Sequence, residues 1–130
     1  MNNGVEVRAS TRNGSGLFAV KDFAVGEAVY SFEQGRIVDH HEISELSGEE
    51  KMHLDWVGDN KFEIISAPGC FVNHSCDPNI EERDRVGYAL RDIKAEEELM
   101  IDYDQVSYLE SPFACSCGAP NCRKIIYGRS

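Results

Sequence analysis

Three cysteines within eight residues near the end of the chain are the clearest chemical signal in the sequence. Cys115, Cys117 and Cys122 lie in a loop that also carries Gly and Pro. Thiolates are soft ligands that suit a tetrahedral zinc ion, and such ions fix small loops that have no core of their own. The spacing therefore predicts a metal site, for which Cys70, Cys76 or one of the four histidines could provide the fourth ligand.

Length and composition limit the kind of protein that can carry this site. A chain of 130 residues has room for one domain with one core. Its 13 basic and 23 acidic side chains give a net charge of −10, which disfavours nucleic acid as the direct ligand and suits a basic partner. No apolar run exceeds Leu17–Val20, so we expect no membrane span, and the N-terminus does not read as a secretion signal. We therefore expect an intracellular protein, cytoplasmic or nuclear according to its source, with reduced thiols.

The elements that must position the cysteines read as mostly β, because short apolar stretches alternate with Gly and polar turns. Strands are predicted at Val5–Val7 and Ala28–Phe32, and residues 56–65 predict two strands around a Gly-Asp-Asn turn. Two later strands should each present three side chains on one face: Val86, Tyr88 and Leu90, then Leu99, Ile101 and Tyr103. One short helix is expected from an Asp39 N-cap to a stop at Gly48.

Four segments, in order, resemble the motifs of the SET-domain lysine methyltransferases. Residues 73–79 read N-H-S-C-D-P-N, which resembles the signature N-H-S-C-x-P-N. Residues 14–19 resemble the G-x-G-L-F-A turn, and residues 91–103 resemble R-D-I…G-E-E-L-x-x-D-Y, with Glu96 in place of the Gly. The three tail cysteines are similar to the short post-SET tail.

The resemblance implies a β-clip fold, mostly β with one or two short helices, in which a threaded C-terminal segment brings Asn73 beside Tyr103. It implies a SET domain over residues 1–110 and a post-SET zinc-binding tail over residues 111–130. It further implies that the zinc ligands are Cys76, Cys115, Cys117 and Cys122. Cys70 would then be left as a small core residue.

S-adenosylmethionine is the cofactor that the resemblance implies, together with Zn²⁺. The residues expected at the cofactor are Gly14, Ser15, Gly16, Leu17, Asn73, His74, Tyr103 and Tyr127. Glycines let the backbone approach a ligand closely, since they have no Cβ. Tyr103 matches the catalytic tyrosine of the family, whose hydroxyl orients the substrate amine. Tyr30 and Trp56 are further candidates for the walls of the substrate channel.

The implied function is methyl transfer from S-adenosylmethionine to lysine side chains of a basic protein, such as a histone or a histone-like protein. A homodimer is compatible with the sequence, whereas direct nucleic-acid or membrane partners are not expected. The same motifs also allow a methyltransferase for a non-histone target such as a ribosomal protein. A catalytically weak or inactive SET-like module that binds a peptide is the alternative of a different class. A zinc-dependent nucleic-acid module is disfavoured by the acidic charge.

Overall fold

The chain folds into short strands that pair in several small sheets, and the computed structural model describes residues 2–10, 14–51, 53–106, 109 and 112–128. The strands within these ranges are β1 Val5–Ala9, β2 Ser15–Ala19, β3 Ala28–Ser31, β4 Ile37–Asp39, β5 Leu54–Gly58, β6 Lys61–Ile64, β7 Asn73–His74, β8 Ile80–Arg83, β9 Val86–Ala89, β10 Met100–Ile101, β11 Phe113–Ala114 and β12 Ile125–Ile126. The helical elements are α1 Gly48–Lys51, α2 Tyr103–Val106 and the 3-10 helices His40–Glu45 and Gly69–Phe71. The predicted mostly β fold is confirmed. None of these helices is long and apolar enough to cross a membrane.

Two three-stranded antiparallel sheets form the larger part of the fold. One has the order β3-β9-β8 and the other the order β4-β6-β5. β1 pairs with β2 and β11 with β12, both antiparallel, whereas β7 and β10 form a parallel pair. This parallel pair joins the two segments that the sequence motifs predict to lie side by side.

The main core lies between β2, the β3-β9-β8 sheet and the β7–β10 pair. Leu17, Ile93 and Leu99 are no more than 1% exposed, and the Leu99 amide donates to the Leu17 carbonyl at 2.8 Å. Burying a side chain of this size contributes about 1.5–3 kcal/mol each. The full cluster is Leu17, Ala19, Phe23, Val29, Tyr30, Val72, Ile80, Ala89, Ile93, Leu99 and Ile101.

The hairpin predicted within residues 56–65 is confirmed. β5 and β6 pair around Asp59 and Asn60, whose φ values of 48° and 62° are those of a type I′ turn. A second hairpin joins β8 to β9 through Asp84 and Arg85, with φ values of 51° and 64°. That turn is hard to predict from its sequence, because Arg rarely adopts a positive φ.

The predicted helix is right at its start and wrong at its end. Asp39 is the N-cap, and its amide donates to Glu42 Oε1 at 2.9 Å, which forms part of a capping box. The element is a 3-10 helix that ends at Glu45. Gly48 does not stop it but begins α1, where Ser47 accepts a hydrogen bond from the Glu50 amide.

The prediction that Tyr103 lies in a strand with Leu99 and Ile101 is wrong. Tyr103 is the first residue of α2. β10 ends at Ile101, and after Asp102 the backbone turns into α2. Leu99, Ile101 and Tyr103 nevertheless contact the same core cluster.

β9 also buries the opposite face from the one carrying the predicted residues. Gly87 and Ala89 are the buried residues, whereas Leu90 lies beyond the strand and is 44% exposed. Gly87 is buried because the ring of Tyr30 lies directly over it: a Cβ at position 87 would lie 2.4 Å from that ring.

Candidate active site and metal centre

The parallel pairing of β7 and β10 brings together the two segments that carry the predicted site. Asn73 lies opposite Met100 and His74 opposite Ile101. The Ser75 amide extends the pairing by donating to the Ile101 carbonyl at 2.9 Å. Asn73 and Tyr103, 30 positions apart in the sequence, therefore belong to one local structure.

The Asn73 amide is held in a fixed orientation. Its Nδ2 donates to the Ser15 carbonyl at 2.9 Å and to Glu98 Oε2 at 2.9 Å. The Ser10 hydroxyl donates to the same Glu98 carboxylate, with contacts of 3.0 and 3.1 Å. Because both amide hydrogens are used, the Asn73 oxygen is the atom that can accept a hydrogen bond from a ligand.

Position 16 has no room for a side chain, because the Glu98 carboxylate lies against it. A Cβ at Gly16 would lie 2.3 Å from Glu98 Oε2. Gly14 has a positive φ of 55° and leads into β2, which places Ser15 and Leu17 in a strand rather than in the expected turn. Glu98 lies in the motif of residues 91–103, but nothing in that motif indicates that it is the partner of Asn73.

His74 links Tyr103 to the cysteine cluster. Its Nδ1 accepts a hydrogen bond from the Tyr103 amide at 3.0 Å, so that nitrogen carries a lone pair. The neutral ring then carries its proton on Nε2, which lies 3.5 Å from Cys76 Sγ. One imidazole thus holds the backbone of Tyr103 on one side and donates to a sulfur on the other.

The Tyr103 phenol is fixed by its hydroxyl and by its ring. The hydroxyl donates to the Val72 carbonyl at 2.8 Å. Burial, and then the nearby Glu82 carboxylate, raises the pKa of Tyr103 well above its usual value, so the phenol stays protonated. The ring lies 5.3 Å from His74 and 6.2 Å from Phe113, measured between centroids. Phe113 was not predicted; its only signal is an aromatic residue directly ahead of the cysteine loop.

A cavity of about 410 Å³ opens beside Tyr103. Ile101 and Val72 line it next to Tyr103. Of the two candidates for a channel wall, Trp56 lines this cavity, whereas Tyr30 is buried in the main core and does not. Cys70 also lines this cavity and is half-buried, so its prediction as a small core residue was wrong. The acidic, basic and imidazole side chains in the lining are those of His53, Asp55, Glu63, Glu82, Asp84 and Arg85.

The four cysteines predicted as metal ligands lie together. The sulfur atoms of Cys76, Cys115, Cys117 and Cys122 are all within 4.8 Å of one another, and those of Cys76 and Cys115 are 3.9 Å apart. A tetrahedral zinc ion with bonds of about 2.3 Å separates its sulfur ligands by about 3.8 Å. The cluster therefore fits a zinc ion in both donor type and spacing.

Backbone amides beside the cluster favour the thiolate form of Cys117, whereas burial raises the pKa of Cys115 to about 12. Burial opposes ionisation of Cys117, but hydrogen bonds from the backbones of Cys76 and Ala119 outweigh it and lower the pKa of this thiol to about 6. The Arg123 amide lies 3.4 Å from Cys76 Sγ and donates to it. The amide donors to Cys117 stabilise its charged form, which is the form that binds a metal.

The segment after the cysteines packs back onto the site. Ile126 is fully buried against Cys76 and Cys117. The amides of Tyr127 and Gly128 donate to Asp104 Oδ1 at 3.1 and 2.8 Å. The Tyr127 side chain itself is 66% exposed, so the structure brings its backbone, rather than its ring, to α2.

The SET-domain sequence pattern matches residues 14–104, which is most of the chain. The chain belongs to the SET-domain family. The match includes the glycine motif, the segment of Asn73 and His74, and Tyr103, whereas the cysteine tail lies beyond it.

Curated relatives of this SET domain include histone-lysine N-methyltransferases. The H3 lysine-36 specific enzyme of Yarrowia lipolytica is 33% identical over 97% of this chain. The H3 lysine-4 specific enzyme of Candida albicans is 33% identical over 83% of it. The chain spans only 18% and 12% of the lengths of these two relatives.

Solved SET structures share the architecture. The methyltransferase domain of human SETMAR superposes with a TM-score of 0.72 at 20% identity, covering 97% of this chain and 59% of that one. KRYPTONITE, solved in complex with mCHG DNA and SAH, superposes with a TM-score of 0.67 at 25% identity, covering 95% of this chain and 29% of that one. These likenesses support the SET fold of the chain.

Proposed function

We propose that the chain is an S-adenosylmethionine-dependent methyltransferase that acts on lysine side chains of a basic protein. The observation that carries this proposal is the hydrogen bond from the Tyr103 amide to His74 Nδ1 at 3.0 Å. It joins the Asn73–His74 segment to a tyrosine whose hydroxyl lies at a cavity large enough for a side chain.

On the cofactor side, S-adenosylmethionine supplies an electrophilic methyl group on a sulfonium. The Asn73 oxygen would accept a hydrogen bond from a donor of the cofactor, since Ser15 and Glu98 hold the amide so that its oxygen is available. Gly14 and the backbone of Ser15, Gly16 and Leu17 lie along the same edge, because Ser15 itself accepts from Asn73. His74 and Tyr127 complete the proposed set.

On the substrate side, the amine must be neutral and aligned. A lysine with a pKa of about 10.4 loses its proton at a cost of roughly 4.6 kcal/mol at pH 7, and a poorly solvated cavity lowers that cost. The Tyr103 hydroxyl already donates to Val72, so its oxygen accepts an N–H from the amine. The amine lone pair is then left free to meet the methyl group.

The cysteine tail covers one side of the site. We propose that Cys76, Cys115, Cys117 and Cys122 hold Zn²⁺, with residues 1–110 as the SET domain and residues 111–130 as the post-SET tail. Zinc would fix the cysteine loop, which brings Phe113 against Tyr103 and the backbone of Tyr127 against Asp104.

Charge and relatives indicate the substrate class. The net charge of −10 attracts a basic partner, and the relatives named above act on histone H3. A histone or a histone-like protein is therefore the first substrate to test. An intracellular location, nuclear where the substrate is chromatin, agrees with the reduced thiols that a zinc site needs.

The proposal is tested with methyl-labelled S-adenosylmethionine and a panel of basic proteins, including histone H3 and a ribosomal protein fraction, with acidic proteins as controls. We expect label on a basic protein, and amino-acid analysis of the product should place it on methyllysine. Label on no protein would exclude the methyltransferase. If a basic protein bound without transfer, the peptide-binding alternative would hold instead.

A further inference from the structure

One row of residues crosses the β3-β9-β8 sheet and ends at the cavity. Tyr30 pairs with Gly87, and Gly87 pairs with Glu82. Residues directly opposite one another in a sheet point to the same face. Because Gly87 has no side chain, the Tyr30 ring lies over β9, and its hydroxyl donates to Glu82 Oε2 on the strand beyond.

Glu82 is therefore a half-buried carboxyl group held at a cavity that Tyr103 also lines. Both residues line this cavity together with Ile101. Burial raises the pKa of Glu82 to about 7, with the Tyr30 hydrogen bond acting in the opposite direction and Asp55 adding to the rise. Glu82 in turn contributes to the raised pKa of Tyr103, so the two groups lie in one electrostatic environment.

The other charged groups at the cavity leave it acidic. Arg85 pairs with Glu63 through contacts of 3.0 and 3.1 Å, which neutralises that carboxylate. Burial lowers the pKa of His53, so the imidazole is neutral at pH 7. Against this one arginine, the lining carries the four carboxyl groups of Asp55, Glu63, Glu82 and Asp84. A cation that enters this cavity is therefore favoured over a neutral group of the same size.

We infer that Glu82 is a specificity-determining residue that binds the ammonium of a substrate lysine and directs it toward Tyr103. The inference rests on the proposed function, because its substrate is a lysine. It goes beyond that function by assigning substrate binding to Glu82, which lies outside all four sequence motifs. Tyr30 acts as a positioning residue, because its hydroxyl fixes the carboxylate.

The geometry also favours an ammonium over a guanidinium. A guanidinium pairs best when both carboxylate oxygens accept from it side by side. Glu82 Oε2 already accepts from Tyr30, so Oε1 is the oxygen that remains fully available for a ligand. A single charge-assisted hydrogen bond suits the point charge of lysine.

The inference is tested with n-butylammonium, which has the charged end of a lysine side chain, and 1-butanol as its uncharged counterpart. Both are titrated by NMR into the full chain, into Glu82→Gln and into Glu81→Gln. Glu82→Gln keeps an acceptor for Tyr30, whereas Glu81→Gln makes the same change at the neighbouring residue, whose side chain is 53% exposed.

The unaltered chain should bind butylammonium on the order of tenfold more tightly than butanol, as a hydrogen bond to a charged group would give. Glu82→Gln should lose this preference, and Glu81→Gln should keep it. Equal binding of the two probes by the unaltered chain would overturn the inference, and so would a preference that survives in Glu82→Gln.

A second measurement needs no variant. With carboxyl-labelled glutamate, saturating butylammonium should lower the pKa of Glu82 by about one, which is the counterpart of a tenfold preference. An unchanged pKa would contradict the inference. Neither probe requires methyl transfer, so a chain that binds butylammonium through Glu82 but labels no protein would sink only the proposed function. A chain that methylates lysine without this dependence would sink only the part assigned to Glu82.

Discussion

Arg123 forms an ion pair with Asp102, in which a guanidinium nitrogen lies 2.7 Å from the carboxylate oxygen. Asp102 directly precedes Tyr103, so the cysteine tail is bonded to the turn that carries the proposed catalytic tyrosine. A second contact of 2.9 Å joins Arg123 to Asp104, which also accepts from the Tyr127 and Gly128 amides. The metal cluster and the site at Tyr103 are therefore mechanically coupled.

Loss of the metal should weaken cofactor binding. Cys117→Ser removes a thiolate from the cluster, so we expect less than about one zinc per chain and a cofactor affinity lowered by about tenfold, the effect of losing one or two hydrogen bonds. Metal analysis and calorimetry with S-adenosylhomocysteine measure the two effects. Cys70→Ser is the matched control, because Cys70 lies outside the cluster. Lost zinc with unchanged cofactor affinity would show that the tail does not close the site.

A methyl group at Gly16 should disturb Asn73 without contacting it. Its Cβ would lie 2.3 Å from Glu98 Oε2, so the carboxylate must move away from the Asn73 amide. We expect Gly16→Ala to cost about 1–3 kcal/mol of stability through overpacking and to lower cofactor affinity by about tenfold.

Gly26→Ala separates these two effects. Gly26 has a φ of 84° with no atom within 4 Å of the added Cβ, so this variant carries backbone strain away from the site. It should lose stability and keep its cofactor affinity. If Gly16→Ala also keeps its affinity, the Glu98–Asn73 bond does not orient the amide for the cofactor.

Glu82 should make the chain less stable as the pH rises. Its pKa is about 7 in the folded chain against 4.5 ordinarily, so between these pH values the folded chain retains a proton that the unfolded chain has lost. Stability from this group is therefore full below about pH 4.5 and falls until about pH 7. Glu82→Gln removes the penalty and should be more stable than the unaltered chain by about 3 kcal/mol at pH 8 but not at pH 4.5.

Urea unfolding at the two pH values measures this difference, with Glu81→Gln as the control that should show none. A Glu82→Gln variant with the same relative stability at both pH values would mean that Glu82 ionises normally in the folded chain.

Glu96 occupies a backbone position that favours glycine. Its φ is 78°, a region in which a side chain costs about 1–2 kcal/mol. Glu96→Gly gives up an exposed ion pair with Arg8, which contributes little, and should raise the thermal midpoint by a few degrees. Glu33→Gly, at an exposed position without a positive φ, should not raise it. Calorimetric unfolding of both variants measures the two midpoints. A Glu96→Gly midpoint that rises no more than that of Glu33→Gly would show that the backbone at Glu96 is not strained.

Local signals in the sequence predicted local structure well. The Asp39 cap and the Asp59–Asn60 turn depend on residues within a few positions of one another, and both are found. The four motifs likewise indicated Asn73, His74 and the tail cysteines, because the residues of each motif are close together in the sequence. The end of β10 at Ile101 was missed, because apolar spacing continues through Tyr103 while the backbone turns into α2.

Contacts between strands that are distant in the sequence could not be predicted from local signals of this kind. The Tyr30–Glu82 hydrogen bond requires Gly87 in the strand between them, and no periodicity in any one strand indicates that arrangement. The contact of Phe113 with Tyr103 depends in the same way on how the tail folds back. Cys70 reaches the cavity because the 3-10 helix Gly69–Phe71 forms part of its wall, which composition alone could not show.

The most direct test of the proposed site compares methyl transfer and cofactor binding in Tyr103→Phe. The change removes only the hydroxyl at the cavity, and Tyr88→Phe makes the same change on the outer face of β9. We predict that Tyr103→Phe lowers the single-turnover rate of lysine methylation on the order of 100-fold, as misalignment of the amine would. Its affinity for S-adenosylhomocysteine should stay within about twofold of the unaltered chain. Transfer by Tyr103→Phe at the rate of Tyr88→Phe would contradict the account.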